Sequence, residues 1–259
     1  MRNIDLENEK NFENRKAGGE PVRAKQLKFY WATFISTERH KKETLNIIKN
    51  SNVLEIGCAS GHDAIDYCKC TKSYTGVDIS DVAIQNCNEL SIKNAFFYCV
   101  DGHKLPVDDK SIDFVIVNSL LHHLDLEVSF KEISRILTDS GALIFREPLG
   151  TNPAFQIYRM LTPGARTIDE RPFTFSDLRL MKKYFDLDGQ VQWFGFFSVI
   201  SAFLKIENIR AFLTKFDRVL SKTPLKYFFG NFRALQRKRL YGADNEADMT
   251  VWIDRSAWQ

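Results

Sequence analysis

The stretch Val53-Leu54-Glu55-Ile56-Gly57-Cys58-Ala59-Ser60-Gly61-His62 constrains the fold of this chain more than any other. A strand with one acidic residue enters a tight glycine turn and leaves into a helix. The turn presents backbone N–H groups, and the strand a carboxylate, at the carboxyl edge of an α/β sheet, where nucleotide-like cofactors bind.

From residue 52 onward strand and helix signals alternate. Strands are expected at 53–56, 74–79, 95–100, 112–117 and 142–146, with helices at 63–69, 80–90 (capped by Ser80 or Asp81) and 126–137. Short apolar strands in this order predict a parallel sheet covered on both faces, with right-handed crossovers. Ahead of it, residues 1–20 are polar, are broken by Gly18-Gly19, and read as flexible. Residues 22–49 read as helical, with an aromatic face of Phe29, Tyr30, Trp31 and Phe34. Such a stripe is more often core, but it can also close over a cofactor. Beyond Glu147 a loop-rich stretch surrounds a short helix at 154–161. A helix at 175–184, a strand at 190–197, a basic aromatic helical block to 239 and a last strand at 249–253 follow. The expected architecture is α/β and Rossmann-like. It has a seven-stranded, mostly parallel sheet with an antiparallel last strand, helices on both faces, an N-terminal helical extension and a helical insertion before the last strand. The expected division is a flexible N-terminus and helical cap over 1–49, then one domain over 50–259, with 198–240 as a basic, aromatic insertion.

With 259 residues, 44% of them apolar, the chain can bury the core of one large domain with additions. Its five cysteines are odd in number and lack framework spacing, which fits a reduced, cytoplasmic protein. Cys68-Lys69-Cys70 has no second ligand pair, so no metal is expected. The first 20 residues hold no apolar signal core, and no run of 18 apolar residues exists to span a bilayer. Net charge is only +3, yet residues 205–239 hold ten Lys/Arg against Glu207 and Asp217. Aromatic residues are interleaved with those bases over 203–240. An amphipathic lid for an anionic membrane or a lipid-linked substrate is one reading; a cap with a solvated basic face is the commoner one. Nucleic-acid binding is not expected.

Two acids accompany the glycine turn. Asp78 ends the second strand in Gly76-Val77-Asp78-Ile79-Ser80, where a carboxylate can accept from both hydroxyls of a ribose. Asp101, in Val100-Asp101-Gly102, follows the third strand and can accept from an exocyclic amine such as adenine N6. Each acid alone is more often a solvated strand end; in register with the turn they favour a cofactor site.

With these motifs stand Ser111-Ile112-Asp113-Phe114-Val115-Ile116, Leu121-His122-His123-Leu124, Glu132-Ile133-Ser134-Arg135-Ile136-Leu137 and Gly141-Ala142-Leu143-Ile144-Phe145 before Glu147-Pro148. Together they resemble the class I S-adenosylmethionine-dependent methyltransferases, of the methyltransferase type 11 or ubiquinone/menaquinone-biosynthesis-like subgroup, strongly over about residues 50–150. The resemblance implies that Glu55 orients the methionine amino end. It implies that the backbone of Gly57, Cys58, Ala59 and Gly61 packs against methionine and ribose, and that Asp78 holds the ribose hydroxyls. Ile79 would lie on an adenine face, Asp101 would hold adenine N6 beside Gly102, and the Asn118 carbonyl would face the sulfonium. Ala59 departs from the family's usual glycine, and Thr138-Asp139-Ser140-Gly141 from its usual Lys-Pro-Gly-Gly turn. An NAD-dependent oxidoreductase is the rival, but the second mononucleotide-binding half that it needs is not found.

The resemblance is nearly silent on the acceptor. His122 and His123 follow the fourth strand, near where the methyl should point, and either can take a hydroxyl proton, with His122 slightly preferred. Glu147, ending the fifth strand, is a candidate base or acceptor-binding carboxylate. Tyr158, Arg159, Arg166 and Arg171 lie in the segment expected to roof the site, where arginine suits a phosphate or carboxylate. The expected activity is methylation of a small or lipid-like molecule, on oxygen. A non-catalytic S-adenosylmethionine-binding scaffold is the alternative.

Overall fold

The computed structural model describes residues 4–22, 24, 27–152, 156–157, 159–160, 167, 170–186, 191–198, 207–223, 229 and 231–239. Among these, the order is α1 (Leu6–Ala17), α2 (Leu27–Ile47), β1 (Asn52–Ile56), α3 (Ala64–Tyr67), β2 (Ser73–Asp78), α4 (Asp81–Glu89), β3 (Ala95–Cys99) and β4 (Ile112–Asn118). A 3-10 turn (Leu121–His123), α5 (Leu126–Ile136), β5 (Leu137–Pro148), α6 (Phe175–Met181), β6 (Phe185–Asp186), β7 (Val191–Phe194), α7 (Glu207–Leu220) and β8 (Asn231–Lys238) follow.

Among the described residues the sheet has eight strands rather than seven, in the order β3-β2-β1-β4-β5-β8-β6, with β7 also on β8. The first five strands pair in parallel, and β8 runs antiparallel to β5, β6 and β7. Both faces are covered, as near-continuous apolar strands require. Leu54, Ile56, Val115, Val117, Leu143 and Phe145 pack toward Phe130, Phe173 and Phe232. Val53, Ile116 and Ile144 pack toward Ile48, Tyr67 and Tyr74. Each fully buried Leu, Ile or Phe contributes about 1.5–3 kcal/mol.

Two expectations are corrected. Residues 6–17 form a helix rather than a flexible tail. Asp5 caps it through Asn8 N–H, and polar contacts hold it along α4: Ser80 Oγ donates to Asn14 Oδ1 at 2.6 Å, and Asn86 Nδ2 donates to the Ala17 carbonyl at 3.3 Å. Hydrophobic periodicity cannot reveal a helix docked by polar groups. Residues 231–238, read as the end of a basic helical block, are instead the antiparallel strand beside β5. Phe232 and Ala234 face the core with period two, while Arg233 is buried on Gln192 and on Glu43, the latter at 2.7 Å. A buried, paired arginine makes such a strand read as a solvated helix. The strand expected at 249–253 lies outside the described residues.

Candidate functional site

A cavity of about 410 Å³ opens at the carboxyl ends of β1, β2 and β4, roofed by α1 and α2. Its size falls in the range of about 300–1,000 Å³ typical of sites for small ligands. Gly57, Ala59, Asp78, Ile79, Asp101, Gly102, Asn118 and His123 are on its wall.

The turn after β1 is shaped for close approach. Gly57 has φ 79°, and a Cβ there would meet Leu120 Cδ2 at 2.9 Å. Ala59 also lies in the left-handed region, at φ 46°. Its N–H donates to Asp78 Oδ2 at 2.9 Å, while Ser80 N–H donates to Asp78 Oδ1 at 2.9 Å. Burial raises the Asp78 pKa against the opposing pull of those two N–H groups. Cys58 and Gly61 lie behind the turn, off the cavity wall; Cys58 and Cys87 are buried there together.

Asp101 is oriented by His103, a residue that the motif reading missed. Asp125 N–H donates to His103 Nε2 at 2.8 Å, which leaves the proton on Nδ1, and Nδ1 donates to Asp101 Oδ1 at 2.6 Å. Burial would raise the Asp101 pKa, but the His103 bonds outweigh it and hold the carboxyl below its usual range. The available signal was the spacing Asp101-x-His103 just after a strand end.

Glu55 does not reach the cavity. Its carboxyl is buried under β1 and accepts from the Tyr74 hydroxyl at 2.5 Å, and burial pushes its pKa up to about 8. Asn118 reaches both places: it lies on the cavity wall and its Oδ1 is 3.3 Å from His40 Nε2. Burial, then Arg146 and Arg233, lower the His40 pKa to about 3, so the neutral ring donates to Asn118.

Arg146 was not anticipated. It lies on the cavity wall, and Nη1 donates to Thr37 Oγ1 at 3.1 Å. Its buried Nε has no partner among the described residues, and burial lowers its pKa. Ser119, beside it, has φ 57°, a strained conformation of the sort found at functional sites.

At the acceptor end the two histidines differ. His123 lines the cavity, with Nδ1 3.0 Å from Glu9 Oε1. His122 and Glu147 do not line it. Glu147 is fully buried: Oε1 accepts from the N–H groups of Leu120 and Leu121 at 2.9 and 2.8 Å, and Oε2 is 2.6 Å from His122 Nδ1. It therefore fixes the turn instead of facing the cleft as expected. Burial, then His123, lower the His122 pKa despite Glu147. Arg159 Nη1 is bound to Glu170 at 2.8 Å, and Arg171 to Asp177 at 2.6 and 2.7 Å, so neither is on the cavity wall. Tyr158 and Arg166 lie outside the described residues. Tyr30 and Phe34 of α2 line the mouth of the cavity, each half-exposed, and Arg210 of α7 sits 4.5 Å over the Trp31 ring.

A parallel sheet with this strand order, a glycine turn after β1 and acids after β2 and β3 define the fold of the class I S-adenosylmethionine-dependent methyltransferases. Residues 54–145 match the family described as a methyltransferase domain. An uncharacterized methyltransferase, YcgJ, from Bacillus subtilis is 28% identical over 97 residues, covering 36% of this chain and 38% of its own. The sterol 4-C-methyltransferase strm-1 from Caenorhabditis elegans is 29% identical over 125 residues, covering 44% of this chain and 36% of its own. The chain thus matches under two fifths of the length of either relative. Among solved structures, the geranyl diphosphate C-methyltransferase of Streptomyces coelicolor, in complex with Mg²⁺, geranyl diphosphate and S-adenosyl-L-homocysteine, superposes with a TM-score of 0.57 at 13% identity. That match covers 78% of this chain and 80% of that one.

Proposed function

We propose that this protein transfers the methyl group of S-adenosylmethionine to a small or lipid-like acceptor. The observation that carries the reading is that Asp78 and Asp101 face one cavity with the Gly57–Ala59 backbone between them. The residues fit the donor. Asp78 offers acceptors for the ribose hydroxyls, Ile79 an apolar face for adenine, and Asp101 an acceptor for its amine beside the side-chain-free Gly102. The unpartnered Arg146 Nε suits the methionine carboxylate, a role that the sequence reading gave to no residue. S-adenosylmethionine supplies an already activated methyl group. The protein's work is therefore alignment and exclusion of water, to which the α2 roof contributes.

The acceptor enters at the end where His123, Leu120 and Leu124 meet Phe34 and Tyr30. That apolar mouth supports a lipid-like acceptor, and a hydroxyl nucleophile would give its proton to the corner built on His123, which His122 and Glu147 position. Phe212, Lys215, Phe216, Arg218 and Val219 are exposed on α7, whose Arg210 packs over Trp31 and Phe34 of α2, and support contact with an anionic membrane surface. Among the described residues no helix is long and apolar enough to cross a membrane. Incubation with labelled S-adenosylmethionine and a panel of hydroxylated small molecules and lipids tests the activity. Label transferred to an acceptor by the wild type and not by Asp78→Ala supports it. Donor binding without transfer to any acceptor would favour the scaffold alternative.

A further inference from the structure

His122, His123 and Glu170 bring one ligand atom each to within 4.8 Å of one another; both histidines are buried, and the Glu170 side chain is 8% exposed. His122 Nε2 is 4.0 Å from Glu170 Oε1 and His123 Nε2 is 3.7 Å from Glu170 Oε2. Around a tetrahedral ion with bonds of about 2.0–2.2 Å, ligand atoms lie roughly 3.4 Å apart. The three groups therefore need to close by a few tenths of an ångström to at most about 1.4 Å.

The outer contacts make this more than a chance cluster. Each ring turns its Nε2 toward Glu170; His122 Nδ1 is hydrogen-bonded to Glu147 at 2.6 Å, while His123 Nδ1 lies 3.0 Å from Glu9 Oε1 but out of line for a hydrogen bond. A carboxylate on the far nitrogen fixes the tautomer and orients the ring, the usual outer arrangement of metal-bound histidine. The groups come from four separate places in the fold: α1, the turn after β4, the end of β5 and the segment before α6. Three nearly buried carboxylates meet there, with Arg159 on Glu170 at 2.8 Å.

We infer that His122, His123 and Glu170 form a binding site for a divalent first-row transition ion such as Zn²⁺, supported by Glu147 and Glu9. The imidazoles bind as neutral ligands through Nε2, and His122 keeps its Nδ1 proton on Glu147. Two imidazoles and a carboxylate suit Zn²⁺, Co²⁺, Fe²⁺ or Mn²⁺ better than the harder Mg²⁺ or Ca²⁺. His123 is shared with the cavity wall, so the ion borders the acceptor end; with Nε2 on the ion His123 does not also take a proton, and in the loaded protein an acceptor hydroxyl would bind the ion and lose its proton to solvent. That last step rests on the methyl-transfer reading; the site itself does not.

The test is calorimetric titration of chelator-stripped full-length protein with Zn²⁺ near pH 7.5, and the absorption spectrum of the Co²⁺ form. One ion per chain is expected, with d–d bands and no thiolate charge-transfer band. Glu170→Gln, nearly isosteric, should weaken binding at least tenfold, and Glu9→Gln by about 10–100-fold. His62→Ala, at an exposed histidine, should leave it unchanged. Circular dichroism confirms that each variant is folded; should Glu170→Gln not fold, Glu9→Gln serves in its place. Absence of binding, a thiolate band, or equal affinity in wild type and the folded glutamine variants overturns the inference, whether or not the protein methylates anything.

Discussion

The Ala59 amide donates to Asp78 Oδ2 at 2.9 Å, so the turn after β1 is fastened to the carboxylate that ends β2. Asp78 thus shapes the turn as well as facing the cavity. Asp78→Asn keeps an oxygen for one of the two N–H groups, whereas Asp78→Ala removes both acceptors. Donor affinity should fall at least about 100-fold in Asp78→Ala and by less in Asp78→Asn, as read by calorimetry. Equal affinity in wild type and Asp78→Ala would remove this residue from the site.

Ala59 carries a Cβ at a positive φ, which costs roughly 1–2 kcal/mol relative to the right-handed region. Ala59→Gly relieves that strain but adds unfolded-state entropy of about 0.5–1 kcal/mol. The net should be a neutral to slightly higher urea midpoint. A clear loss of stability would show that the methyl group is packed, not merely tolerated.

Arg146 and His123 should separate donor from acceptor effects. Arg146→Met removes the cation from the cavity wall and should weaken donor binding about 10–100-fold. His123→Gln should leave donor affinity within about threefold and lower turnover at least tenfold. His122→Ala should chiefly lower stability, because it leaves Glu147 buried with one bond lost. A His123 variant with full turnover would place the acceptor chemistry elsewhere.

Glu55 gives stability a pH dependence of defined sign. Its folded pKa of about 8 lies above the unfolded value of about 4.3, so the folded state holds the proton longer. The contribution is fully present below about pH 4.3 and is lost progressively as pH rises toward 8. Glu55→Gln should flatten this slope in urea unfolding measured from pH 5 to 8. An unchanged slope would mean that another group carries it.

The α7 surface gives a separate prediction for the membrane. Vesicles rich in anionic lipid should retain the wild type at low salt and release it at high salt. Phe212→Ser/Phe216→Ser should reduce retention severalfold without changing donor affinity. Equal retention by neutral and anionic vesicles would contradict an electrostatic component.

What the sequence made legible follows from locality. The glycine turn, Asp78 and Asp101 each sit at the end of a strong apolar strand, so their place in the sheet could be read from spacing alone, and all three meet at the cavity. Which face a residue takes was harder. Glu55 is adjacent to the turn but alternates to the opposite side of β1 and pairs with Tyr74. Glu147 likewise points into the core, while Arg146, one residue earlier, reaches the cavity. His103 escaped notice because its role depends on Asp125, 22 residues away. Helix α1 carries Glu9 to His123 through polar contacts that no hydrophobic pattern announces.

The central claim is that the cavity between Asp78 and Asp101 holds S-adenosylmethionine. Its most direct measurement is calorimetric titration of the wild-type protein with S-adenosylmethionine and, separately, with NAD. The account predicts one S-adenosylmethionine per chain with micromolar affinity, lost in Asp78→Ala, and no competition by NAD. No binding of S-adenosylmethionine, or displacement of it by NAD at similar concentration, would contradict the account.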